Sequence, residues 1–297
     1  MQGCKYYTVP APLSLLGEGP VWDAQTKTIF WVDILAGTIH AYDTERQRYR
    51  RLKFDEMLSA IALTSTGQFI AALKSGISLI DPATGNVTTL CHPEEGLAGN
   101  RYNDGKCDPS GRFWIGSMSL YEEPAAGSLY RIEKNGHYSL QIPGVSISNG
   151  MAWSEDHSTF YFIDTPAFQV MAYDYDSGTG QIAHPRLAFR IPREEGYPDG
   201  MTIDTEGMLW IAHWDGWQVA RWDPFTGKKL HAIQLPVARI TSCIFGGPQL
   251  QHLYITSASV DLDETRLSQQ PLAGSLFVVP DCGYQGLPAH AFDLQKI

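Results

Sequence analysis

GYPDGMTID, residues 196–204, has two counterparts earlier in the chain: LGEGPVWD at residues 16–23 and ISNGMAWS at residues 147–154. In each segment a side chain that carries an oxygen precedes a glycine, and a largely apolar run follows. Those oxygen-bearing residues are Glu18, Asn149 and Asp199. A phrase that recurs along a chain indicates a repeated structural unit, and the period of the repeat points to the architecture.

The same position recurs at intervals of 41 to 50 residues, at Glu18, Ser59, Asp104, Asn149, Asp199 and Thr241. Strand-like runs follow the repeated position, as in GRFWIGS and GSLYRIE, and turn formers such as Gly, Asp and Pro separate them. A period of about 40–50 residues with four strands per unit is typical of a propeller blade. The sequence therefore predicts an all-β, six-bladed β-propeller that occupies residues 1–297 as a single domain. We expect the N-terminal run KYYTVPA to complete the last blade.

The innermost strands of a propeller surround a central channel, so we expect the repeated positions to form a ring at one end of it. Glu18, Asp104, Asn149 and Asp199 would then converge. Carboxylates that are brought together repel one another unless a cation or a proton intervenes. Two carboxylates and an amide carbonyl are hard ligands that suit Ca²⁺, Mg²⁺ or Mn²⁺, with Zn²⁺ and Fe²⁺ also open. The alternative interpretation is that these side chains only cap strand ends and bind water in the channel.

The charge balance and the cysteine pattern argue against several classes of protein. Lys and Arg number 22 against 32 Asp and Glu, a net charge of −10, and the sequence has no basic patch of the kind that binds nucleic acid. The N-terminus reads neither as a signal peptide nor as a membrane span. The cysteines are scattered without a C-x-x-C pair, which favours reduced thiols in the cytoplasm, and a monomer is the default expectation. These cysteines are Cys4, Cys91, Cys107, Cys243 and Cys282.

Four motifs, in this order, resemble the SMP-30/gluconolactonase/regucalcin-like family: GEGPVWD, RYNDGKCDPSGRFWIGSM, SNGMAWS and YPDGMTID. The resemblance covers nearly the whole chain and is greatest to bacterial sugar lactonases that act on aldonolactones. It implies a six-bladed propeller with one divalent metal ion, Ca²⁺ being the first candidate, held by Glu18, Asn149 and Asp199. It also implies that Arg101 and Asn103 contact the substrate.

One segment departs from the pattern of that family. Animal members carry a substrate-contacting Glu shortly after a GTM-like segment, where this chain reads GSMSLYEEP, residues 116–124. Tyr121 stands at the equivalent position with Glu122 beside it, and we expect both to contact the substrate. The departure bears on the identity of the substrate and leaves the reaction type unchanged.

The implied reaction is hydrolysis of a small-molecule sugar lactone, such as a xylono-, arabinono-, galactono- or gluconolactone, to the aldonic acid. Asp199 is expected to be the general base that activates water, and Asp104 to shape the site from behind the ligands. His213, in WIAHWDGW, is interpreted as a packing residue. Two alternatives stay open: a broader esterase or phosphotriesterase that uses the same metal, and a calcium-binding protein without turnover.

Overall fold

A computed structural model describes residues 5–294, so Cys4 lies outside the described residues. Its strands form six four-stranded antiparallel sheets. The first strand of each sheet packs against the first strands of its neighbours, which places these strands innermost. The predicted six-bladed β-propeller is confirmed.

The strands fall into four concentric sets. The innermost strands are β2 (Gly17–Asp23), β6 (Leu58–Leu63), β10 (Asn100–Cys107), β14 (Ser148–Trp153), β18 (Tyr197–Ile203) and β22 (Ile240–Gly246). The second strands are β3 (Thr28–Asp33), β7 (Phe69–Leu73), β11 (Phe113–Ser119), β15 (Thr159–Asp164), β19 (Leu209–Trp214) and β23 (His252–Ser257). The third strands are β4 (Thr38–Asp43), β8 (Gly76–Ile80), β12 (Gly127–Ile132), β16 (Gln169–Asp176), β20 (Gln218–Trp222) and β24 (Phe277–Val279). The outermost strands are β1 (Tyr7–Thr8), β5 (Arg48–Lys53), β9 (Val87–Cys91), β13 (Tyr138–Val145), β17 (Gln181–Arg190) and β21 (Lys229–Gln234).

Helical structure is confined to short segments in the connections. The helix α1 (Glu264–Gln269) lies between β23 and β24 and is capped by Asp263, whose carboxylate accepts a hydrogen bond from the Arg266 amide. Two single 3₁₀ turns span Thr165–Ala167 and Arg193–Glu195. All other regular elements of residues 5–294 are strands, as the lack of helical periodicity in the sequence predicts.

The two ends of the chain meet in the sixth blade. The N-terminal strand β1 pairs with β24, with Tyr7 opposite Val278 and Thr8 opposite Phe277, so the predicted completion of the last blade by KYYTVPA is confirmed. The closing strand covers the edge that β24 would otherwise expose, and it closes the propeller.

Each innermost strand carries an irregularity at its repeated position. The pairing with the second strand shifts there, which is the signature of a β-bulge, and a bulge re-aims a side chain out of the regular pleat. The shifts fall between Glu18 and Val21, Leu58 and Ala60, Tyr102 and Gly105, Ser148 and Met151, Pro198 and Met201, and Ile240 and Ser242. The bulges explain how one sequence position is presented at the channel mouth in every blade.

In each of two blades, a buried aspartate lies in the turn that follows the innermost strand. Asp204 accepts hydrogen bonds from Trp210 Nε1 at 2.9 Å and from Arg221 Nε at 2.6 Å. Asp108 accepts a corresponding bond from Trp114 Nε1 at 3.0 Å. Asp204, Arg221 and Asp108 are all buried. These carboxylates fasten the indole of the second strand to the preceding turn.

We expect Asp204→Ala to lower the free energy of unfolding by about 3 kcal/mol, because it leaves the buried Arg221 Nε without its carboxylate. Urea denaturation of the variant and the parent protein measures the difference. The control is Asp223→Ala in the exposed turn after β20, whose carboxylate bonds, among residues 5–294, only to Phe225 and Thr226. An equal loss in both variants would contradict the role given to the buried ion pair.

Candidate functional site

The ring at the channel mouth brings together the side chains that the repeat singled out. Glu18, Asn149, Asp199 and Asp104 are each less than a tenth exposed. Burial raises the pKa of the Glu18 carboxyl, and the nearby charge of Asp104 raises it further. Burial also raises the pKa of Asp199 well above its usual value, and the charges of Glu18 and Asp104 add to the shift. The three carboxyl groups therefore act on one another, as close neighbours must.

A cation would relieve that repulsion, and the site leaves an oxygen atom for one. Asp199 Oδ1 is buried and has no hydrogen-bond partner among the described residues. A buried carboxylate oxygen without a donor is costly, unless a cation or an ordered water satisfies it. Carboxylate and amide oxygens are the donors that hard divalent ions prefer. The residues present thus fit such an ion.

The expected ligand set contains two carboxylates and one amide. Within residues 5–294, no group of three or more His, Cys, Asp or Glu side chains is arranged to hold a metal ion. The third member of the expected set is the amide of Asn149. A chain of hydrogen bonds fixes the orientation of that amide. The amide can serve as a ligand only if its oxygen points towards the ion.

Thr165 orients Asn149 from the turn that follows β15. The Asn149 amide nitrogen donates to Thr165 Oγ1 at 2.8 Å, and the Thr165 hydroxyl donates to the Pro198 carbonyl at 2.8 Å. With its nitrogen engaged there, the amide turns Oδ1 to its other side. Sequence reasoning missed Thr165, because nothing in the segment DTPAF marks a threonine that reaches a neighbouring blade.

Arg101 and Asn103 join the ring from β10. Asn103 Nδ2 donates to Asn149 Oδ1 at 3.1 Å and to the Ser148 carbonyl at 2.8 Å. Arg101 Nη1 donates to Asn103 Oδ1 at 2.6 Å. Burial lowers the pKa of Arg101 to about 10, while the charges of Glu18 and Asp199 oppose the shift. The structure thus brings Arg101 and Asn103 to the group formed by Glu18, Asn149 and Asp199.

Tyr121 and Glu122 lie at the edge of the site, in the turn between β11 and β12. Glu122 is close enough for its charge to raise the pKa of Arg101, and its backbone adopts a positive φ of 55°. Tyr121 is 79% exposed. Both residues are exposed, and the charge of Glu122 reaches Arg101.

His213 lies in the packed interior of the fifth blade, on β19 opposite Pro198 of β18. It is fully buried, and its Nε2 accepts a hydrogen bond from Trp222 Nε1 at 3.3 Å. Burial lowers its pKa to about 4, so the ring is neutral at physiological pH. This agrees with its interpretation as a packing residue.

Helices of residues 5–294 offer no segment that is both long and apolar enough to cross a membrane.

The chain is similar to known proteins over almost its full length. The model of the SMP-30/Gluconolactonase/LRE-like region matches residues 16–259. Regucalcin of Gallus gallus is 38% identical over 297 residues, which cover 98% of this chain and 99% of regucalcin. The Bacillus subtilis (strain 168) protein YvrE, which bears the provisional name sugar lactone lactonase, is 37% identical over 277 residues, 93% of this chain and 95% of YvrE.

A solved structure shares the architecture. The crystal structure of regucalcin from Agrobacterium tumefaciens strain C58, described as a calcium-binding protein, is 31% identical in sequence. It superposes with a TM-score of 0.92 and covers 96% of each chain. The fold similarity therefore extends over the whole propeller.

Proposed function

Since the chain belongs to the SMP-30/Gluconolactonase/LRE-like family, we propose that it hydrolyses a sugar lactone to the corresponding aldonic acid. The substrates proposed are xylono-, arabinono-, galactono- and gluconolactones. The observation that carries the proposal is the buried group of Glu18, Asn149 and Asp199, with an unpartnered Asp199 oxygen, beside Arg101. The name borne by YvrE adds support from sequence.

Glu18, Asn149 and Asp199 would hold one divalent ion, with Ca²⁺ the first candidate because relatives include calcium-binding regucalcin. Mn²⁺, Mg²⁺, Zn²⁺ and Fe²⁺ are the other candidates, since oxygen-rich sites accept several ions. When bound, the ion would polarise the lactone carbonyl and stabilise the negative charge that develops on its oxygen.

Asp199 would accept the proton from the attacking water. Burial and the neighbouring carboxyl groups raise the pKa of Asp199 in the ion-free site, and the charge of a bound ion would oppose that rise and keep Asp199 a carboxylate that can accept a proton. Proton transfer to Asp199 would also reduce the repulsion with Glu18 and Asp104.

Arg101 and Asn103 would bind and orient the hydroxyl groups of the sugar. Only Nη1 of the Arg101 guanidinium is committed to hydrogen bonds within the described residues, to Tyr102 and Asn103. Its remaining donors are available to a ligand with several hydroxyl groups. Asp104 would act on Glu18 and Asp199 through its charge. Tyr121 and Glu122 would contact the substrate.

A substrate panel tests the proposal against the esterase and phosphotriesterase alternative. We expect kcat/KM for the best aldonolactone to exceed that for aryl esters and phosphotriesters by at least about 100-fold, because Arg101 and Asn103 would bind the hydroxyl groups of a sugar ring. Initial rates with each substrate, at saturating divalent ion, measure the ratio. A preference for phosphotriesters would contradict the proposal.

The second candidate function is a calcium-binding protein without turnover, which the similarity to regucalcin favours. It predicts that the protein binds Ca²⁺ yet hydrolyses no lactone of the panel with any ion. Turnover of a single aldonolactone above the rate of its spontaneous hydrolysis excludes this candidate.

A further inference from the structure

A narrow cavity of about 80 Å³ lies along the propeller axis beneath the ring. All six innermost strands line it, and residues 287–290 of the C-terminal segment line its far end. The cavity has room for several water molecules. Lys106, which no step above uses, is among the lining residues.

The Lys106 ammonium joins two other blades from inside this cavity. Its Nζ donates to the Met151 carbonyl at 2.9 Å and to the Met201 carbonyl at 2.5 Å. Met151 follows Asn149 by two residues on β14, and Met201 follows Asp199 by two residues on β18. One side chain therefore bridges the two strands that present Asn149 and Asp199.

The bridging group is a buried ammonium, and its charge needs compensating contacts. An ammonium group in the protein interior is costly unless hydrogen bonds and an opposite charge compensate it. The two carbonyls supply the hydrogen bonds, and the nearby Asp104 carboxylate, two residues back on β10, supplies the charge. Lys106 is thus held by three innermost strands at once, and its position cannot change without moving them.

The same two strands also approach closely at the level of the ring. A Cβ atom at Gly150 would lie 2.7 Å from the Asp199 carbonyl oxygen, so only glycine allows this approach. On the other side, Thr165 links the Asn149 side chain to the Pro198 carbonyl. Asn149 and Asp199 are therefore framed by two polar bridges, Thr165 at the turn and Lys106 in the cavity.

We propose that Lys106 is a positioning residue for the divalent ion, because it holds β14 and β18 at the separation that brings Asn149 and Asp199 onto one ion. Lys106 contacts neither the ion nor the substrate. The proposal rests on the ligand set given under the proposed function. Lys106 thereby gains a role that neither the sequence motifs nor the proposed mechanism gives it.

The test is divalent-ion binding to metal-stripped protein, measured by isothermal titration calorimetry with Ca²⁺ and Mn²⁺. Lys106→Met keeps the length of the side chain and removes both hydrogen bonds. We expect it to weaken binding by about 10- to 100-fold, the range for groups that orient metal ligands. The matched control, Ile61→Val, alters a side chain that lines the same cavity from β6, a strand without a ligand, and is expected to bind within twofold of the parent.

The outcomes separate this proposal from the proposed function. If the parent protein binds no divalent ion, the ligand set is wrong and Lys106 has nothing to position. If the parent binds and folded Lys106→Met binds equally well, only the role of Lys106 is overturned. Melting curves establish that each variant is folded.

A measurement on the unaltered protein covers the case in which Lys106→Met does not fold. The chain has seven methionines, so labelling with [1-¹³C]methionine gives few carbonyl signals. We expect the signals of Met151 and Met201 to show the hydrogen bonds to Lys106 both before and after the ion is added, because the bridge is already formed in the ion-free protein. Loss of either hydrogen bond when the ion binds would overturn the proposal.

Discussion

Asp199→Asn is expected to lower kcat for the best lactone by about 10²- to 10⁴-fold, the contribution of a positioned general base. The amide has nearly the shape of the carboxylate and cannot accept the proton from water. The replacement removes one of three buried carboxyl groups that repel one another, so the melting temperature of the metal-free protein should not fall. Single-turnover and steady-state rates at saturating ion measure the effect.

Two further measurements make the result specific to Asp199. The ion affinity of the variant is determined separately, so that a loss of binding is not read as a loss of the base. Asp223→Asn, in an exposed turn, serves as the control and should keep full activity. Full activity of Asp199→Asn with ion bound would assign the base to another group.

Removal of divalent ions is expected to lower lactone hydrolysis by at least about 100-fold, because the ion supplies charge stabilisation that no side chain of the ring replaces. Adding Ca²⁺, Mn²⁺, Mg²⁺, Zn²⁺ or Fe²⁺ back singly should restore activity with one ion best. The bound ion should also stabilise the fold, by about 2.7 kcal/mol at a free concentration of 100 Kd. Activity assays and thermal melting across the ion series measure both effects.

Glu18→Gln is the matched variant for this experiment. Glu18 is buried in the ring and its charge acts on Asp199, so we expect the variant to lose most of the thermal shift that the ion produces. Full activity of protein shown to be free of divalent ions would contradict metal dependence. Ion binding without turnover would favour the calcium-binding candidate.

The sequence predicted the propeller because the innermost strand of each blade repeats one phrase. Glu18, Asn149 and Asp199 recur in phrases of the same form, and the repeat places them at one level of the ring without knowledge of any contact. The same reasoning included Asp104, and all four side chains are buried in the structure. The closing strand was also predictable, because KYYTVPA has the strand pattern that the sixth blade lacks.

The details of the ring were not predictable from the repeat. Tyr121 and Glu122 were expected together at the substrate, and both are exposed, Tyr121 by 79%. The two residues are adjacent in the turn, and it is the charge of Glu122 that acts on Arg101. Turn geometry of this kind depends on local backbone conformation, such as the positive φ of Glu122.

By itself the sequence determined the number of blades, the closure and the residues of the ring, because these follow from a periodic pattern that each blade repeats locally. Only the tertiary structure decided how the ring is held. Lys106 bonds to carbonyls 45 and 95 residues away, and Thr165 bonds to a carbonyl 33 residues away. Backbone carbonyls are present at every residue and carry no sequence signature, so a contact to one of them is set only when the strands have packed.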